Sequence, residues 1–290
     1  MSVEIIAEVG ECFNGDMDTA FAMIKEAKLA GCDIVKFQLL DMDEVADNDP
    51  EHAWFKKLSL SPAKILELIS CADKNEIEIL FTPVSIKTAE YIYHAGQKSV
   101  KVASSFIGKM ELLDYINNHF EKVYVSTGMA DLDEICKILT YLNKPKEITV
   151  LHCISEYPTG PLLEERGLRA LDEKDVHMNM MLILKKLFPQ YRIGYSDHTD
   201  DILAPIVAVA MGADVIEKHI TLDRETPVQN FKNHKEYMGT DHVLSIEPPE
   251  LRKMVIDIRR VEDIKGGWKW ERSTGEKILR DFLRDRYVER

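Results

Sequence analysis

Two lysines stand inside short runs whose composition is otherwise that of a buried β-strand. Lys36 lies in the run IVKFQ at 34–38, and Lys101 lies in VKV at 100–102. An ammonium group in an apolar strand carries a large desolvation cost unless an anion or a carboxylate meets it. A buried pair such as Lys36 with Glu8 would satisfy one lysine. Two such lysines, with hydroxyl residues near them, favour a phosphate or carboxylate site.

Two histidines stand at the ends of later strand-like runs. His198 follows the run at 192–196, and His219 ends the run at 215–219. Neutral imidazoles beside open coordination positions suit Mn²⁺, Fe²⁺, Co²⁺ or Zn²⁺, so the pair predicts a divalent metal site. Asp197 either orients a histidine or caps a turn, and the residue types alone do not separate these two roles.

The elements that must position these groups alternate regularly along the chain. Each short β-branched run is followed by a polar turn and then by apolar residues at helical spacing, which is typical of parallel βαβ units. Eight strands in 290 residues predict an α/β fold of the (β/α)8 TIM-barrel class. An open doubly wound sheet is disfavoured because the first strand lacks a GxGxxG turn and no GxxxxGK loop occurs. The predicted strands are Val3–Val9, Asp33–Gln38, Glu78–Pro83, Ser99–Ala103, Val123–Ser126, Ile148–His152, Arg192–Ser196 and Val215–His219.

The predicted helices have ordinary start and stop signals. Ser61 with Pro62 supplies a helix start, and Gly31, Gly96 and Gly212 follow helix ends. The predicted helices are Thr19–Ala30, Ser61–Asn75, Lys87–Ala95, Lys109–Asn118, Leu132–Leu142, Asn179–Phe188, Ile202–Met211 and Pro248–Ile264.

In such a barrel the carboxyl ends of the strands converge on one face, where the loops carry the chemistry. These positions are unusually polar here, so we expect an active site at that face. The polar residues are Glu8, Lys36, Gln38, Thr82, Lys101, Ser104, Ser126, Thr127, His152, Ser155, Tyr157, Ser196, Asp197, His198, Lys218 and His219.

Composition excludes several classes of partner. The formal net charge of −13 disfavours nucleic acid and anionic membranes, which are bound through lysine and arginine. No run approaches the roughly 18 apolar residues of a membrane span, and Met1–Gly10 lacks the features of a secretory signal. The sequence therefore predicts a cytoplasmic protein. Its five cysteines form no CxxC pair and are interpreted as reduced thiols.

Length and composition predict one large domain. We assign residues 1–265 to the barrel and 266–290 to a charged tail with no second domain; the tail is either a packing arm or an oligomer contact. The polar segment Leu222–Leu244 is too long for an ordinary connection and is predicted to be a lid or a substrate loop.

Taken together, these strand ends resemble the sialic acid synthase family, the phosphoenolpyruvate-dependent synthases of nine-carbon sugar acids. The similarity runs from residue 5 to about 262. Its most distinctive elements are Ser-Asp-His-Thr at 196–199 and Glu-Lys-His at 217–219. The other matching stretches are IIAEVG at 5–10, NGD at 14–16, VKFQ at 35–38, FTP at 81–83, KVAS at 101–104, STGM at 126–129, LHC at 151–153, YPT at 157–159 and GTDH at 239–242.

The resemblance implies a metal-dependent condensation of phosphoenolpyruvate with the aldehyde of an N-acyl amino sugar or related aldose, giving a 2-keto-3-deoxy sugar acid and phosphate. His198 and His219 would bind the metal, with Mn²⁺ the first choice and Mg²⁺ or Co²⁺ as alternatives, and the enzyme would be a homodimer. The expected catalytic residues are Glu8, Lys36, Lys101, His198 and His219. The expected substrate-binding residues are Gln38, Thr82, Ser104, Ser126, Ser155, Tyr157, Ser196 and Asp241.

The sequence also departs from the family pattern near the expected sugar. Phe106 stands where an acidic residue is usual, which removes a proton-handling or substrate-orienting carboxylate unless Glu111 or Glu156 reaches in. Ser155 stands where asparagine is common. About nine extra residues precede Gly239, and we expect this chain to lack the usual C-terminal antifreeze-like domain. Two alternatives therefore stay open: an aldolase or lyase of 2-keto-3-deoxy sugar acids, or a catalytically impaired homologue that binds phosphoenolpyruvate.

Overall fold

The computed structural model describes residues 2–49, 51–156, 171–230, 235–238, 240–267 and 269–285. Eight parallel strands are hydrogen-bonded in the order β3-β2-β1-β8-β7-β6-β5-β4, and β4 lies beside β3, so the sheet curls into a nearly closed barrel. The strands are β1 Glu4–Glu8, β2 Ile34–Leu39, β3 Glu78–Pro83, β4 Ser99–Val102, β5 Lys122–Ser126, β6 Glu147–Cys153, β7 Arg192–Asp197 and β8 Val215–His219. The predicted TIM barrel and all eight predicted strands are confirmed, with ends within two residues.

Helices lie between the strands and cover the outside of the barrel. All eight predicted helices are present, again with small differences at their ends. The helices of the described residues are α1 Met17–Ala30, α2 His52–Leu58, α3 Pro62–Lys74, α4 Ile86–His94, α5 Met110–His119, α6 Leu132–Tyr141, α7 Asn179–Leu187, α8 Leu203–Ala210, α9 Thr240–Leu244, α10 Pro248–Lys265 and α11 Thr274–Asp285.

The predicted start signal of α3 and the predicted stop signal of α1 are both confirmed. The Ser61 hydroxyl accepts a hydrogen bond from the amide of Lys64, and Pro62 occupies the first turn of α3. Gly31 ends α1 at φ +89°, a conformation that costs glycine little, and its amide donates to carbonyls of the last turn.

Strand alternation explains why polar groups gather at one end of the barrel. Side chains two positions apart in a strand point to the same side, so a residue two places after an inward apolar residue also points inward. Six apolar residues form a layer inside the barrel: Ile6, Ile34, Leu80, Tyr124, Leu151 and Val215. The residues two places later are Glu8, Lys36, Thr82, Ser126, Cys153 and Glu217. The apolar layer is therefore the floor of a polar lumen.

An ionic network closes the opposite end of the barrel. Glu4 accepts hydrogen bonds from the hydroxyl of Tyr124 at 2.6 Å and from Lys122 at 3.1 Å. Arg192 lies 3.4 Å from Glu4 and 3.0 Å from Glu147. This network separates the floor from solvent on the side away from the lumen.

The first strand of the barrel pairs with its last strand. β1 pairs with β8 from Glu4 opposite Val215 to Glu8 opposite His219. Helix α10 also holds the start of the chain, because Arg259 donates to the carbonyl oxygen of Val3 at 2.7 Å. Barrel closure thus depends on contacts between residues more than two hundred positions apart.

Some elements were not predicted. Helix α2 lies in the β2–α3 connection, and the predicted lid segment Leu222–Leu244 contains an antiparallel pair, Pro227–Asn230 with Lys235–Met238, before α9. The charged tail contains α11, whose role as arm or oligomer contact stays a prediction. Among the described helices, none has both the length and the apolar composition that crossing a bilayer requires.

Candidate active site

Four charged side chains meet in the lumen above the floor. Lys36 Nζ lies 3.1 Å from Glu217 Oε2 and 3.3 Å from Glu8 Oε2. Lys101 Nζ lies 3.0 Å from Glu217 Oε1, which also accepts a 2.8 Å hydrogen bond from the Ser196 hydroxyl. All four charged groups are buried. The buried Lys–Glu pair considered for Lys36 is therefore present. Glu217, to which the sequence analysis gave no role, extends it to Lys101.

The two lysines nevertheless have opposite electrostatic environments. Burial disfavours the charge of Lys36, but the carboxylates of Glu217 and Glu8 outweigh it and raise the Lys36 pKa. Burial lowers the pKa of Lys101, and the positive charge of Lys36 adds to this effect against the attraction of Glu217. The carboxylates around Lys101 compensate its positive charge less fully than those around Lys36, so an anion beside Lys101 would stabilise its charged form.

Several buried polar atoms in the lumen lack a hydrogen bond. Among the described residues, the buried side-chain atoms without a hydrogen-bond partner include Thr82 Oγ1, Ser126 Oγ and His219 Nδ1 in the lumen and Thr149 Oγ1 in the middle of β6. One oxygen each of Glu8 and Glu217 is also without a hydrogen bond, although both oxygens lie close to Lys36. Because buried polar groups are normally satisfied, such a concentration at the carboxyl ends of the strands indicates a ligand site.

Gly128 makes room for hydroxyl groups from two neighbouring loops. A Cβ atom on Gly128 would lie 2.1 Å from Ser155 Oγ and 2.8 Å from Ser104 Oγ, closer than any side chain tolerates. Ser155 in turn lies 3.8 Å from the sulfur of Cys153, which stands near Lys101. Hydroxyls and a backbone free of side chain, next to a cation, form a cradle suited to phosphate oxygens.

The two histidines lie together at the adjacent ends of β7 and β8. The ring centroids of His198 and His219 are 5.3 Å apart. Burial lowers the pKa of His198 to about 4, and burial with the neighbouring His198 lowers that of His219 well below its ordinary value. Both rings are therefore neutral at pH 7, the form that binds metal.

The histidines fit a divalent ion with open positions. His198 Nδ1 is 2.9 Å from the carbonyl oxygen of Ile154, a contact that orients the ring. His219 Nδ1 lies 3.8 Å from Asp241 Oδ2. The described part of the chain contains no cluster of three or more histidine, cysteine or acidic side chains arranged to hold a metal. Water or substrate would have to complete the coordination shell.

Asp197 caps a turn and forms a buried ion pair. Its Oδ2 lies 2.7 Å from Lys218 Nζ, and neither side chain is exposed. Its Oδ1 accepts hydrogen bonds from the Tyr195 hydroxyl at 2.7 Å and the Thr199 amide at 3.1 Å. Asp197 and Lys218 immediately precede the two histidines in β7 and β8, so this pair fixes the strand ends that carry them.

The expected sugar side contains a further carboxyl group. Asp241 Oδ2 accepts a 2.9 Å hydrogen bond from the amide of Glu11, and a Cβ on Gly10 would lie only 2.3 Å from that oxygen. Glu11 Oε2 accepts a 2.8 Å bond from the Trp54 indole. Burial and the charge of Asp241 raise the pKa of Glu11 to about 8. Sequence analysis missed Glu11; its place directly after the β1 end was the available signal.

The described members of the predicted set surround one lumen. Gln38 donates a 2.8 Å hydrogen bond to Glu8, and Thr82 pairs in register with Gln38. Tyr157 lies outside the described residues. Phe106 packs against the core, and Glu111 is exposed on α5, so Glu111 does not replace the missing carboxylate.

His242 predicts a specific dependence of stability on pH. It is buried between Thr221 Oγ1, at 2.8 Å from Nδ1, and Asn14 Oδ1, at 3.1 Å from Nε2. Burial lowers its pKa to about 4 despite the neighbouring Asp223. Between about pH 6.5 and pH 4 the unfolded chain binds a proton at this position and the folded chain does not, so acidification lowers the free energy of unfolding.

A His242→Gln variant replaces the imidazole with an amide, which can still form hydrogen bonds but does not titrate. Between pH 7 and pH 4.5 we expect it to lose about 1–2 kcal/mol less stability than the unaltered chain. Urea unfolding at both pH values measures the difference. Equal acid losses in the two proteins would contradict the role given to His242.

Comparison with known proteins agrees with this geometry. The profile of the NeuB family matches residues 23–269. An N,N'-diacetyllegionaminic acid synthase of Campylobacter jejuni is 34% identical, the match covering 98% of this chain and 84% of that protein. An uncharacterised protein of Methanocaldococcus jannaschii, MJ1065, is 38% identical over 98% of this chain and 76% of its own length.

Solved structures give the same result. The N-acetylneuraminic acid (sialic acid) synthetase of Leptospira borgpetersenii, crystallised with citrate, superposes with a TM-score of 0.85 at 30% identity, covering 100% of this chain and 94% of that one. A 3-deoxy-D-arabino-heptulosonate 7-phosphate synthase of Thermotoga maritima shares the fold at 14% identity. With the family profile and these relatives, the barrel and its polar lumen show that the chain belongs to the NeuB family of sialic acid synthase-like enzymes.

Proposed function

We propose that this chain catalyses the metal-dependent condensation of phosphoenolpyruvate with the aldehyde of an N-acyl amino sugar or related aldose. The reaction forms a bond between C3 of phosphoenolpyruvate and the aldehyde carbon. Water supplies the oxygen of the new keto group and phosphate leaves, so the products are a 2-keto-3-deoxy sugar acid and inorganic phosphate.

One observation carries the proposal: the buried unsatisfied groups Thr82 Oγ1, Ser126 Oγ and His219 Nδ1 face the same lumen as the under-compensated Lys101. A small ligand with several anionic oxygens would satisfy the hydroxyls and the ammonium together. Phosphoenolpyruvate, with its phosphate and carboxylate, has this chemistry.

The anion-binding step belongs to Lys101 and the hydroxyl cradle. Lys101 would bind a phosphate or carboxylate oxygen while Glu217 stays paired with Lys36. Ser104 and Ser155, whose hydroxyls both lie beside Gly128, would donate hydrogen bonds to the phosphate. Such donors stabilise the charge that collects on the leaving phosphate.

Glu8 would handle a proton. Burial raises its pKa to about 7, with Lys36 opposing the shift and Glu217 adding to it. A carboxyl group with this pKa takes up and releases protons near neutral pH, as a general acid–base group requires. Its hydrogen bond from Gln38 fixes its orientation toward the lumen.

His198 and His219 are the residues that would hold the metal, and Mn²⁺ is our first choice. A divalent ion bound there supplies Lewis acidity toward the aldehyde oxygen. The chain's own contribution is to keep both imidazoles neutral, close together and backed by the Asp197–Lys218 pair. Asp241 would orient the sugar hydroxyls beside them.

Phe106 favours one second candidate, a homologue that binds phosphoenolpyruvate but turns over poorly. The side chain at this position carries no group that can move a proton. In that case phosphoenolpyruvate would bind tightly and no sugar would release phosphate.

The test is phosphate release from phosphoenolpyruvate with Mn²⁺ and a panel of N-acyl amino sugars and aldoses. We expect release that requires a sugar, stops with EDTA and returns with added Mn²⁺. Release without a sugar would indicate hydrolysis. Pyruvate formation from 2-keto-3-deoxy sugar acids without phosphoenolpyruvate would replace this proposal with an aldolase.

A further inference from the structure

The charged groups of the lumen divide between two sides of the barrel. Lys101, which would bind phosphoenolpyruvate, comes from β4. Glu11 follows β1, and Asp241 lies in α9, in the connection that follows β8. β1 and β8 are neighbours in the sheet, whereas β2 and β3 separate β1 from β4. We call the two carboxyl groups the Glu11–Asp241 pair. Because this pair lies on the expected sugar side, its role rests on the proposed function.

The backbone after β1 holds the pair next to the metal side of the lumen. The Glu11 amide donates to Asp241 Oδ2, and the Trp54 indole donates to Glu11 Oε2. Gly10 adopts a φ of +52°, which glycine tolerates. A Cβ atom on Gly10 would lie 2.3 Å from Asp241 Oδ2 and 3.2 Å from the His219 ring, so the absence of a side chain lets these two groups approach each other. Asp241 is therefore fixed beside a proposed metal ligand, with Glu11 adjacent to it.

The pair has no cationic side chain of its own. Among the residues that the structure describes, no lysine or arginine forms an ion pair with Glu11 or Asp241. Lys36 attracts Asp241 from beyond ion-pair distance and is already paired with two other carboxylates. Lys57 is exposed and lies over the Trp54 ring, 5.3 Å from its centroid. Buried carboxyl groups normally have a counter-charge or several hydrogen-bond donors, so a ligand is the source that remains.

A second, independent observation also indicates a ligand here. His219 Nδ1 is buried, lies 3.8 Å from Asp241 Oδ2 and has no hydrogen-bond partner among the described residues. That distance is too long for a hydrogen bond between the two side chains. Polar groups of a ligand that lay beside both side chains would satisfy each of them.

The chemistry of the pair is unsuited to another anion. Burial and the charge of Asp241 raise the pKa of Glu11 to about 8, so Glu11 keeps its proton at pH 7. The pair then offers one carboxyl O–H as a donor and several oxygens as acceptors. Sugar hydroxyl, amide and amino groups complement this arrangement. A phosphate or carboxylate would instead meet the Asp241 carboxylate in a buried place without a cation.

We propose that the Glu11–Asp241 pair determines which sugars react: it accepts aldoses whose other groups are hydroxyl, amide or amino groups and excludes aldoses that carry a phosphate or a carboxylate. The aldehyde would lie at the metal beside His219, so the rest of the sugar extends past the pair. Like charges placed opposite each other are an effective means of rejecting a wrong ligand. Glu11 is thus a specificity-determining residue, and the anion site at Lys101 serves phosphoenolpyruvate alone.

Phosphate release with N-acetylmannosamine, N-acetylglucosamine and the 6-phosphate of each, in the presence of phosphoenolpyruvate and Mn²⁺, tests the proposal. We expect kcat/KM for the better free sugar to exceed that for its 6-phosphate at least about 100-fold. Glu11→Lys sets a cation beside Asp241, so it should reduce this preference to about tenfold or less by raising kcat/KM for the 6-phosphate.

Two variants separate this effect from a general change of charge or structure. Glu11→Gln keeps an acceptor for the Trp54 indole and adds no charge, so it should change kcat/KM for both sugars in about the same proportion. Glu111→Lys adds the same charge on α5, where Glu111 is exposed in the first turn, and should leave the preference unaltered. Circular dichroism shows whether each variant is folded, and KM for phosphoenolpyruvate should stay within about threefold in all of them.

The outcomes distinguish this inference from the proposed function. Equal kcat/KM for a free sugar and its 6-phosphate in the unaltered enzyme would overturn the inference and leave the proposed function standing. If no sugar releases phosphate, the proposed function fails. Titration calorimetry with the same sugars, phosphoenolpyruvate and Mn²⁺ then measures the preference as a ratio of Kd values. A ratio near one, or no binding of any of the sugars, overturns the inference as well.

Discussion

Replacing Lys101 with methionine is expected to lower kcat/KM for phosphoenolpyruvate by about 10³-fold while the barrel stays folded. Methionine keeps the length and the apolar stem but removes the ammonium group. Glu217 remains paired, because Lys36 lies 3.1 Å from its other oxygen and Ser196 donates to it. The variant therefore removes the Lys101 charge without leaving the Glu217 carboxylate unpaired.

Phosphate release at several phosphoenolpyruvate concentrations gives the rate constants, and titration calorimetry gives the affinity. Lys122→Met is the matched control, since Lys122 lies in β5 of the same barrel but pairs with Glu4 at the opposite end. Its kcat/KM should stay within about twofold, because a partly exposed pair far from the lumen does not contact substrate. A Lys101→Met enzyme that keeps its kcat/KM would remove Lys101 from the proposed site.

Replacing Lys218 alone with methionine is expected to lower the free energy of unfolding by about 3–5 kcal/mol. Asp197 would then be buried without a counter-charge, and the Thr199 carbonyl oxygen would lose its bond from Lys218. The double variant Asp197→Leu with Lys218→Met should recover part of this loss, because it removes the unpaired charge, whereas the Tyr195 hydroxyl and the Thr199 amide still lose their acceptor.

Urea unfolding measures both stabilities, and Lys146→Met, which breaks the exposed pair with Glu121, is the control with little expected change. Mn²⁺ titration of the double variant tests whether the ion pair positions the two histidines, separately from its effect on the free energy of unfolding. We expect its Mn²⁺ affinity to fall about 10- to 100-fold even where stability recovers, because the pair holds the strand ends of His198 and His219. Additive losses from the two single changes would contradict a coupled ion pair.

The barrel and much of its polar lumen follow from local patterns. Lys36 and Lys101 stand out because each interrupts an apolar strand, and the desolvation cost requires a partner whatever the fold. The identity of that partner is not local: Glu217 meets both lysines only because β8, β2 and β4 curl around the same lumen. Alternation places Glu217 and His219 on one side of β8 and Lys218 on the other, so this signal was available.

Other features depend on contacts that local spacing does not encode. The contacts of Asp197 with Lys218 and with the Thr199 amide are visible only in the folded structure, and the link between Trp54 and Glu11 joins two different βα loops. The pair Pro227–Asn230 with Lys235–Met238 lies in a polar stretch with no apolar alternation, so nothing in its pattern indicated strands.

The pairing of β1 with β8 also bears on how the protein is made. The first strand leaves the ribosome early, but its partner begins at Val215, 211 positions after Glu4. At roughly 5–20 residues per second, synthesis of the intervening chain takes about 10–40 s. Through that interval the nascent chain carries a strand with one unpaired edge, a hazard for association with other chains, so the growing polypeptide needs shielding until its last strand emerges.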